Sequence, residues 1–313
     1  MIDGPILVTG GAGFIGNRTL EFLSNDFPDL QIFSVYKSEI KPDNVLNNVE
    51  WLHCNLIDDD LLKRLPSNVR IILHMAADSR SFYSGFKPSD QFITNVNMTN
   101  NLIKYGAKIG IDLFTFTSSV YVYSGCDNLP FKEKFVSIPV ETLGASKMAC
   151  ESLLKVRAFA DDFKAISFRI FTVYGPNSRE SQFLPQAIKK IKAPDSEAKF
   201  GNPNSKRDFI YIDDVARGII SGFNINSKKV YEVMNLGTGK STIIGDVILN
   251  VAKLLCSEKN IIFSDRDEHH EVTFQEACLD HTTSISDWRP TVSLNEGLKK
   301  MVKYYTNLDD DNE

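Results

Sequence analysis

Ile6-Leu7-Val8-Thr9-Gly10-Gly11-Ala12-Gly13-Phe14-Ile15-Gly16 is the stretch whose reading decides the fold. An apolar run ends in glycines. Straight after them the apolar residues Phe14, Ile15, Leu20 and Phe22 or Leu23 recur at helical spacing. Gly11-x-Gly13-x-x-Gly16 carries the spacing of a dinucleotide fingerprint, and Gly10 adds a second register, Gly10-x-x-Gly13-x-x-Gly16. The physical demand behind it is a strand that turns sharply into a helix while a pyrophosphate approaches the backbone. A Cβ would block that approach, and the helix N-terminus attracts the anion. The competing reading is a glycine turn with no ligand. Its place between a strand and a helix, in the first β-α-β unit, argues for the phosphate.

Outward from the turn, residues 31–36, 49–54, 70–74, 113–117 and 165–171 read as strands, and 89–109 and 143–159 as helices. Pro88-Ser89-Asp90 supplies the start of the long helix and Gly110 its stop. Strands alternating with helices imply an α/β fold, a Rossmann doubly wound parallel sheet with helices on both faces. Beyond Tyr174-Gly175-Pro176 the segments shorten, punctuated by Pro185, Pro194 and Pro203. The expected organisation is a Rossmann domain over 1–175 and a smaller substrate-binding lobe over 176–313. Residues 209–238 are expected to rejoin the first domain, with 233–236 as a returning strand. Residues 240–300 read as mixed helices and loops.

The 313 residues carry a net charge of −5, which argues against general affinity for nucleic acid. No run approaches the roughly 20 apolar residues of a membrane span. The chain enters a strand at Ile6 with no basic and apolar leader before it, so no signal peptide is read. Its five cysteines, Cys54, Cys126, Cys150, Cys256 and Cys278, are scattered, and none forms a C-x-x-C pair. A cytoplasmic protein without metal is the expectation. His269, His270 and His281, with Glu268 and Glu271, match no ligand spacing and read as a solvated loop. The acidic end, Asp309 to Glu313, reads as a solvated terminus.

About 20 residues past the fingerprint, a carboxylate would take the ribose 2′-hydroxyl of NAD. Tyr36 and Lys37 stand there instead. Lys37 facing a 2′-phosphate would favour NADP. The alternatives are that Lys37 is a surface lysine and that Glu39 or backbone groups hold the ribose. The cofactor expectation is therefore NAD or NADP.

Several motifs in order now resemble one family, the extended short-chain dehydrogenase/reductases that modify nucleotide sugars as epimerases, dehydratases and reductases. They are the glycine turn, Leu73-His74-Met75-Ala76-Ala77, Asn95-Val96, Phe116-Thr117-Ser118-Ser119 with Val122-Tyr123, Val173-Tyr174-Gly175-Pro176, Arg207 to Val215, Asn235 to Gly239, and Trp288-Arg289-Pro290. The likeness runs from about residue 5 to about residue 298. It implies a cofactor site built from Gly10, Gly13, Phe14, Ile15, Gly16, Tyr36, Lys37, Asn55, Leu56, Met75, Ala76, Ala77, Asn95, Thr117, Lys147 and Val173. It implies substrate contacts at Ser79, Ser119, Thr172 and Arg207, the arginine clamping a nucleoside diphosphate through bidentate geometry. Asn55 replaces the family's usual aspartate near the adenine, and Thr172 an asparagine that touches substrate phosphates in some relatives. The implied partner is a nucleoside-diphosphate sugar.

One position departs from the family. Relatives read Tyr-Gly-Ala-Ser-Lys where this chain reads Leu143-Gly144-Ala145-Ser146-Lys147. The spacing of four places 143 and 147 on one helix face. The family's tyrosine is the general acid/base on a sugar hydroxyl, and leucine carries no proton. Three readings stay open. Another group, among Tyr121, Tyr83, Ser119, Lys147 or a water, serves instead; the chain binds without turnover; or the residue was introduced to inactivate the site. The catalytic candidates are thus Ser119, Lys147 and Tyr121 around Leu143.

Ser119 is followed by Val120-Tyr121, not by the Asp-Glu pair of the family's dehydratases. This points to epimerisation or keto-sugar reduction, chemistry that the cofactor itself carries. His74 at a strand end reads as structural, and Cys150 as a packed thiol. Phe92, Val96 and Ile103 fit an ordinary helix core. In relatives the two long helices build a four-helix dimer interface, so a homodimer is expected.

Overall fold

The computed structural model describes residues 4–43, 46–58, 60–79, 87–124, 126–135, 138–264 and 274–310. Its strands are β1 (Ile6–Thr9), β2 (Ile32–Tyr36), β3 (Val49–His53), β4 (Ile71–His74), β5 (Leu113–Ser119), β6 (Lys164–Ile170), β7 (Thr172–Tyr174), β8 (Glu197–Phe200), β9 (Lys206–Tyr211), β10 (Tyr231–Leu236), β11 (Ser241–Ile243) and β12 (Asn260–Phe263). The helices are α1 (Phe14–Asp26), α2 (Leu61–Arg64), α3 (Pro88–Ile109), α4 (Thr142–Ala160), α5 (Phe183–Lys192), α6 (Ile212–Ser221), α7 (Ile244–Leu254), α8 (Asp280–Ile285) and α9 (Leu294–Asp310).

Seven strands form one sheet in the order β10-β6-β5-β4-β1-β2-β3. All its pairings are parallel. The order reverses beside β1, and in an open sheet of this kind ligands bind in the crevice at that reversal, beyond the strands' carboxyl ends. β1 and β4 are buried at every residue, which explains their unbroken apolar sequences. Ile6 and Val8 face one core layer with α1 and α6, through Leu20, Leu23, Val215 and Ile219. Leu7 faces the other, with Leu102, Ile103 and Leu154 of α3 and α4. The alternation of Cβ directions along a strand feeds both layers from one short run.

A second core lies beyond the sheet. There β11-β9-β7 form a three-stranded sheet and β12 pairs with β8. Phe209 and Tyr211 pack with Ile188, Val251 and Leu298. Of the segment 209–238, β10 lies in the main sheet, whereas β9 lies in the small one.

The expected elements of the first half are present, with shifted ends. β5 runs two residues past 117, so Ser119 is still strand. α4 begins at Thr142 because the Glu141 carboxylate accepts from the amides of Leu143 and Gly144, 3.2 and 2.6 Å away. The stop at Gly110 is a left-handed residue (φ 74°) closing α3 onto the Gly106 carbonyl. Short α2 and strands β7, β8, β11 and β12 were not anticipated. They span three or four residues each, too few for a periodic pattern to register.

Candidate functional site

The glycine turn sits at the carboxyl end of β1. Gly10 has φ 76° and a Cβ there would lie 2.6 Å from the Ala76 nitrogen; at Gly16 it would lie 2.0 Å from the Gly10 carbonyl oxygen. Only glycine fits either place. Gly13 donates to the Gly10 carbonyl at 2.9 Å and starts α1 without any side-chain cap. The first amides of a helix have no partner within it, so they are left for an anion. Phe14 and Ile15 are half-buried in that first turn. This cradle, closed to any Cβ, fits a dinucleotide pyrophosphate.

Behind the turn runs a buried polar chain. Thr9 Oγ1 lies 2.7 Å from His74 Nδ1 and accepts from the Ala76 amide at 3.2 Å. His74 Nε2 lies 3.0 Å from Thr99 Oγ1, which donates to the Asn95 carbonyl at 2.9 Å. Only one arrangement gives every hydroxyl proton an acceptor. Thr9 donates to Nδ1, and the imidazole donates from Nε2 to Thr99. Burial, assisted by the Lys147 charge, lowers the His74 pKa to about 3, so the ring is neutral. Its reading as structural stands.

The Asn95 amide ends that chain. It accepts from the Asp78 amide at 2.7 Å and donates to the Asp78 carbonyl and to Ser146 Oγ, both at 3.0 Å. Both its donor hydrogens are spent on protein. These bonds make the side chain hold the backbone after β4 and brace α4. Met75, Ala76 and Ala77 line that held segment, half-buried.

The catalytic candidates meet where β5 ends against α4. Lys147 is 5 % exposed, and its ammonium donates to the Thr117 carbonyl at 2.6 Å. Nζ also sits 4.6 Å from the Phe116 ring. Burial pulls its pKa down to about 8, opposed by Cys150 and Glu151. Thr117 is itself buried, and its hydroxyl donates to the His74 carbonyl at 3.4 Å. Ser119 Oγ accepts from the Tyr121 amide at 3.3 Å, which leaves its proton for another oxygen. A Cβ on Gly144 would come within 2.3 Å of the Tyr121 carbonyl oxygen, so the first turn of α4 rests on the backbone after Ser119. Leu143 and Tyr121 are both half-buried there. Tyr83 lies outside the described residues.

One turn further along α4, Glu151 forms a buried pair with Arg169, 3.0 Å to Nε and 2.7 Å to Nη2. Burial works against the guanidinium, but Glu151 outweighs it and raises its pKa. Arg169 also lies 4.7 Å over the Tyr123 ring. Cys150 is a buried thiol whose pKa burial raises. It is a packing group, as expected.

At the ribose end, Tyr36 is half-buried and Lys37 exposed. Asn55 donates to Asp58 at 3.2 Å, and Leu56 is buried. On the substrate side, Thr172 Oγ1 donates to Gln275 Oε1 at 2.8 Å. Val173 pairs with Ile210, and half-buried Arg207 lies on β9 next to it. Ser79 is exposed and accepts from Arg179 at 3.2 Å, a bond joining the segment after β4 to the loop before α5. Gln275, Arg179 and Glu141 were missed by sequence reasoning. Glutamate is not a favoured N-cap type, and the other two meet their partners across 103 and 100 residues, where no local signal reaches. His281 pairs with Glu232 at 3.0 Å, whereas His269 and His270 lie outside the described residues.

The sheet order, the Cβ-free cradle and the buried lysine define a dinucleotide-binding α/β enzyme. The model of the NAD dependent epimerase/dehydratase family matches residues 6–237, and the chain belongs to that family. A putative UDP-glucose 4-epimerase of Methanocaldococcus jannaschii is 28 % identical over 96 % of this chain and 98 % of its own. The UDP-glucuronate 4-epimerase of Thermodesulfobacterium geofontis is likewise 28 % identical, covering 96 % of both chains. The crystal structure of UDP-glucuronic acid 4-epimerase from Bacillus cereus, in complex with UDP-glucuronic acid and NAD, superposes with a TM-score of 0.85 at 26 % identity, covering 97 % of this chain and 99 % of that one. NAD is the cofactor on which the family depends. No helix among the described residues is long and apolar enough to cross a membrane.

Proposed function

We propose that the chain modifies a nucleoside-diphosphate sugar by NAD(P)-dependent hydride transfer, by epimerisation ahead of keto-sugar reduction, with a proton relay that bypasses position 143. The observation that carries this is the intact setting of Lys147, buried and seated on the Thr117 carbonyl beside Ser119. The 4-epimerases at 28 % identity support the reaction type and substrate class. When bound, the dinucleotide accepts and returns the hydride. Ser119 donates its free proton to the reacting sugar oxygen. Lys147, with its pKa near 8, exchanges a proton close to neutral pH. On this reading Lys147 relays the proton to that oxygen through water, since Leu143 carries none. On this reading Arg207, Thr172 and Ser79 contact the nucleotide sugar, the arginine at its diphosphate. The residue range 176–313, apart from β10, is our reading of the substrate lobe.

Exposed Phe92 (36 %), Ile93 (54 %), Val156 (64 %) and Phe159 (63 %) mark an apolar strip on α3 and α4 that fits a homodimer contact. Five free thiols fit a reducing cytoplasm.

Proton NMR of UDP-, GDP-, CDP- and dTDP-sugars incubated with the chain and each nicotinamide cofactor tests the reaction. New sugar resonances are expected. An unchanged panel, with cofactor bound, overturns it in favour of the second reading, which Leu143 supports: a binding protein without turnover.

A further inference from the structure

Gln275 is fully buried, and its carboxamide is satisfied on one edge only. Thr172 Oγ1 donates to Oε1 at 2.8 Å, while Nε2 has no acceptor among the described residues. The other buried side-chain atoms in that state are two hydroxyls, Ser34 Oγ and Ser118 Oγ. A hydroxyl turns its single proton to suit, whereas a carboxamide presents two N–H donors in a fixed plane. A buried donor without a partner is rare, because it forgoes water and gains nothing in exchange.

The backbone that carries Gln275 is pinned from both sides. Its amide donates to the Lys206 carbonyl at 3.0 Å, and the Ala277 amide donates to Asp208 Oδ2 at 3.1 Å. On the far side, the Phe131 amide donates to the Glu276 carbonyl at 2.7 Å, and the Cys278 amide donates to the Phe131 carbonyl at 2.9 Å. Asp208 is itself fully buried and also takes the amides of Thr238 and Gly239. A backbone so fixed keeps the unpaired donor in place.

That place is the reacting end of the sheet. Ser119 pairs in register with Ile170, and Thr172 follows two residues later, at most about 7 Å along the chain. Lys206 and Arg207 bring two cations to the strand on which Gln275 leans. A nucleotide sugar whose ring meets Ser119 carries its diphosphate one ring's length away, and cations beside a donor favour an anionic oxygen as its acceptor.

We propose that Gln275 is a substrate-binding residue, donating from Nε2 to an oxygen of the diphosphate of the nucleotide sugar, with Thr172 orienting the carboxamide. The proposal rests on the nucleotide-sugar reading above. The donor completes its bonding when the ligand arrives, so its effect is read in binding.

Isothermal titration of the full chain with UDP, GDP, CDP and dTDP, in the presence of NAD, tests it. At least one of the four is expected to bind the parent. Gln275→Met keeps the side chain's length and removes its donors. It is expected to weaken that nucleotide by about tenfold or more, and the same nucleotide carrying glucose by the same factor, with NAD bound as in the parent. Adding Thr172→Asn to Gln275→Met returns a carboxamide to the spot and is expected to recover most of the loss, which a purely structural role would not produce. Thr172→Val keeps Gln275 but removes its orienting hydroxyl, and is expected to weaken binding by about threefold or more. This variant carries the test if Gln275→Met does not fold. Parent-like Kd values in the variants that fold overturn the proposal and leave the substrate class standing. A loss confined to the glucose-bearing nucleotide puts the acceptor on the sugar and also overturns it. A parent that binds none of the four overturns the substrate class and this proposal together.

Discussion

His74 donates from Nε2 to Thr99 and accepts at Nδ1 from Thr9, so a neutral ring ties the strand before the glycine turn to the long helix α3. Protonation would set two donors against Thr9 and break the chain. With a pKa lowered from 6.5 to about 3 by burial, the unfolded chain binds the proton first as pH falls. Stability due to this ring is therefore complete above about pH 6.5 and declines toward pH 3. His74→Gln is expected to flatten that part of the stability curve, measured by urea unfolding across the range. A variant with the parent's acid slope would refute the assignment.

Lys147 carries the opposite sign of lesson, function held at a cost in stability. Its pKa, lowered from 10.5 to about 8, means the charged form is penalised in the fold. The unfolded chain binds the proton more tightly between these values, so stability rises as pH climbs from about 8 to 10.5. Lys147→Met removes the penalty, and at pH 7 it should stabilise by on the order of a few kcal/mol while abolishing turnover. Calorimetric Tm at pH 7 and at pH 10.5 checks the gain, which should vanish at the higher pH, and the NMR assay checks turnover.

Glu151 and Arg169 lie below it as a buried pair with side chains 7 % and 8 % exposed. Removing one partner strands the other's charge. Glu151→Ala should cost about 3–5 kcal/mol. Denaturant unfolding reads this directly, and a loss below about 1 kcal/mol would place the pair among ordinary surface bridges.

Position 143 is where the proposed relay is tested. If water and Lys147 carry the proton, Leu143→Tyr will displace that water and change the rate by at least about tenfold in either direction. A large gain would mean the parent lacked an efficient relay; a large loss would mean the tyrosine obstructs one in use. The NMR assay with the natural substrate reports it, and an unchanged rate would remove position 143 from the reacting centre.

Much of the site was legible before any coordinates. Gly10 and Gly16 stand where a Cβ would strike backbone at 2.6 and 2.0 Å, and such short-range exclusions leave their mark in consecutive residues. The lysine and the missing tyrosine were visible only through the family resemblance, which sets Leu143-Gly144-Ala145-Ser146-Lys147 against the relatives' Tyr-Gly-Ala-Ser-Lys. The partners of Asn95 were not legible. That its amide hydrogens go to Asp78 and Ser146 depends on β4 and α4 arriving from opposite sides.

The amino-acid sequence alone determined the longer strands and helices of the first half and the phosphate-binding turn, because periodicity and backbone sterics act over a few residues, and its motif resemblance marked positions 119, 143 and 147. The tertiary structure decided that β10 closes the main sheet beside β6, that Thr172 meets Gln275, and that the proton of His74 sits on Nε2. Those depend on which distant groups are packed together out of water. There each buried polar atom must find its partner among whatever the fold brings near.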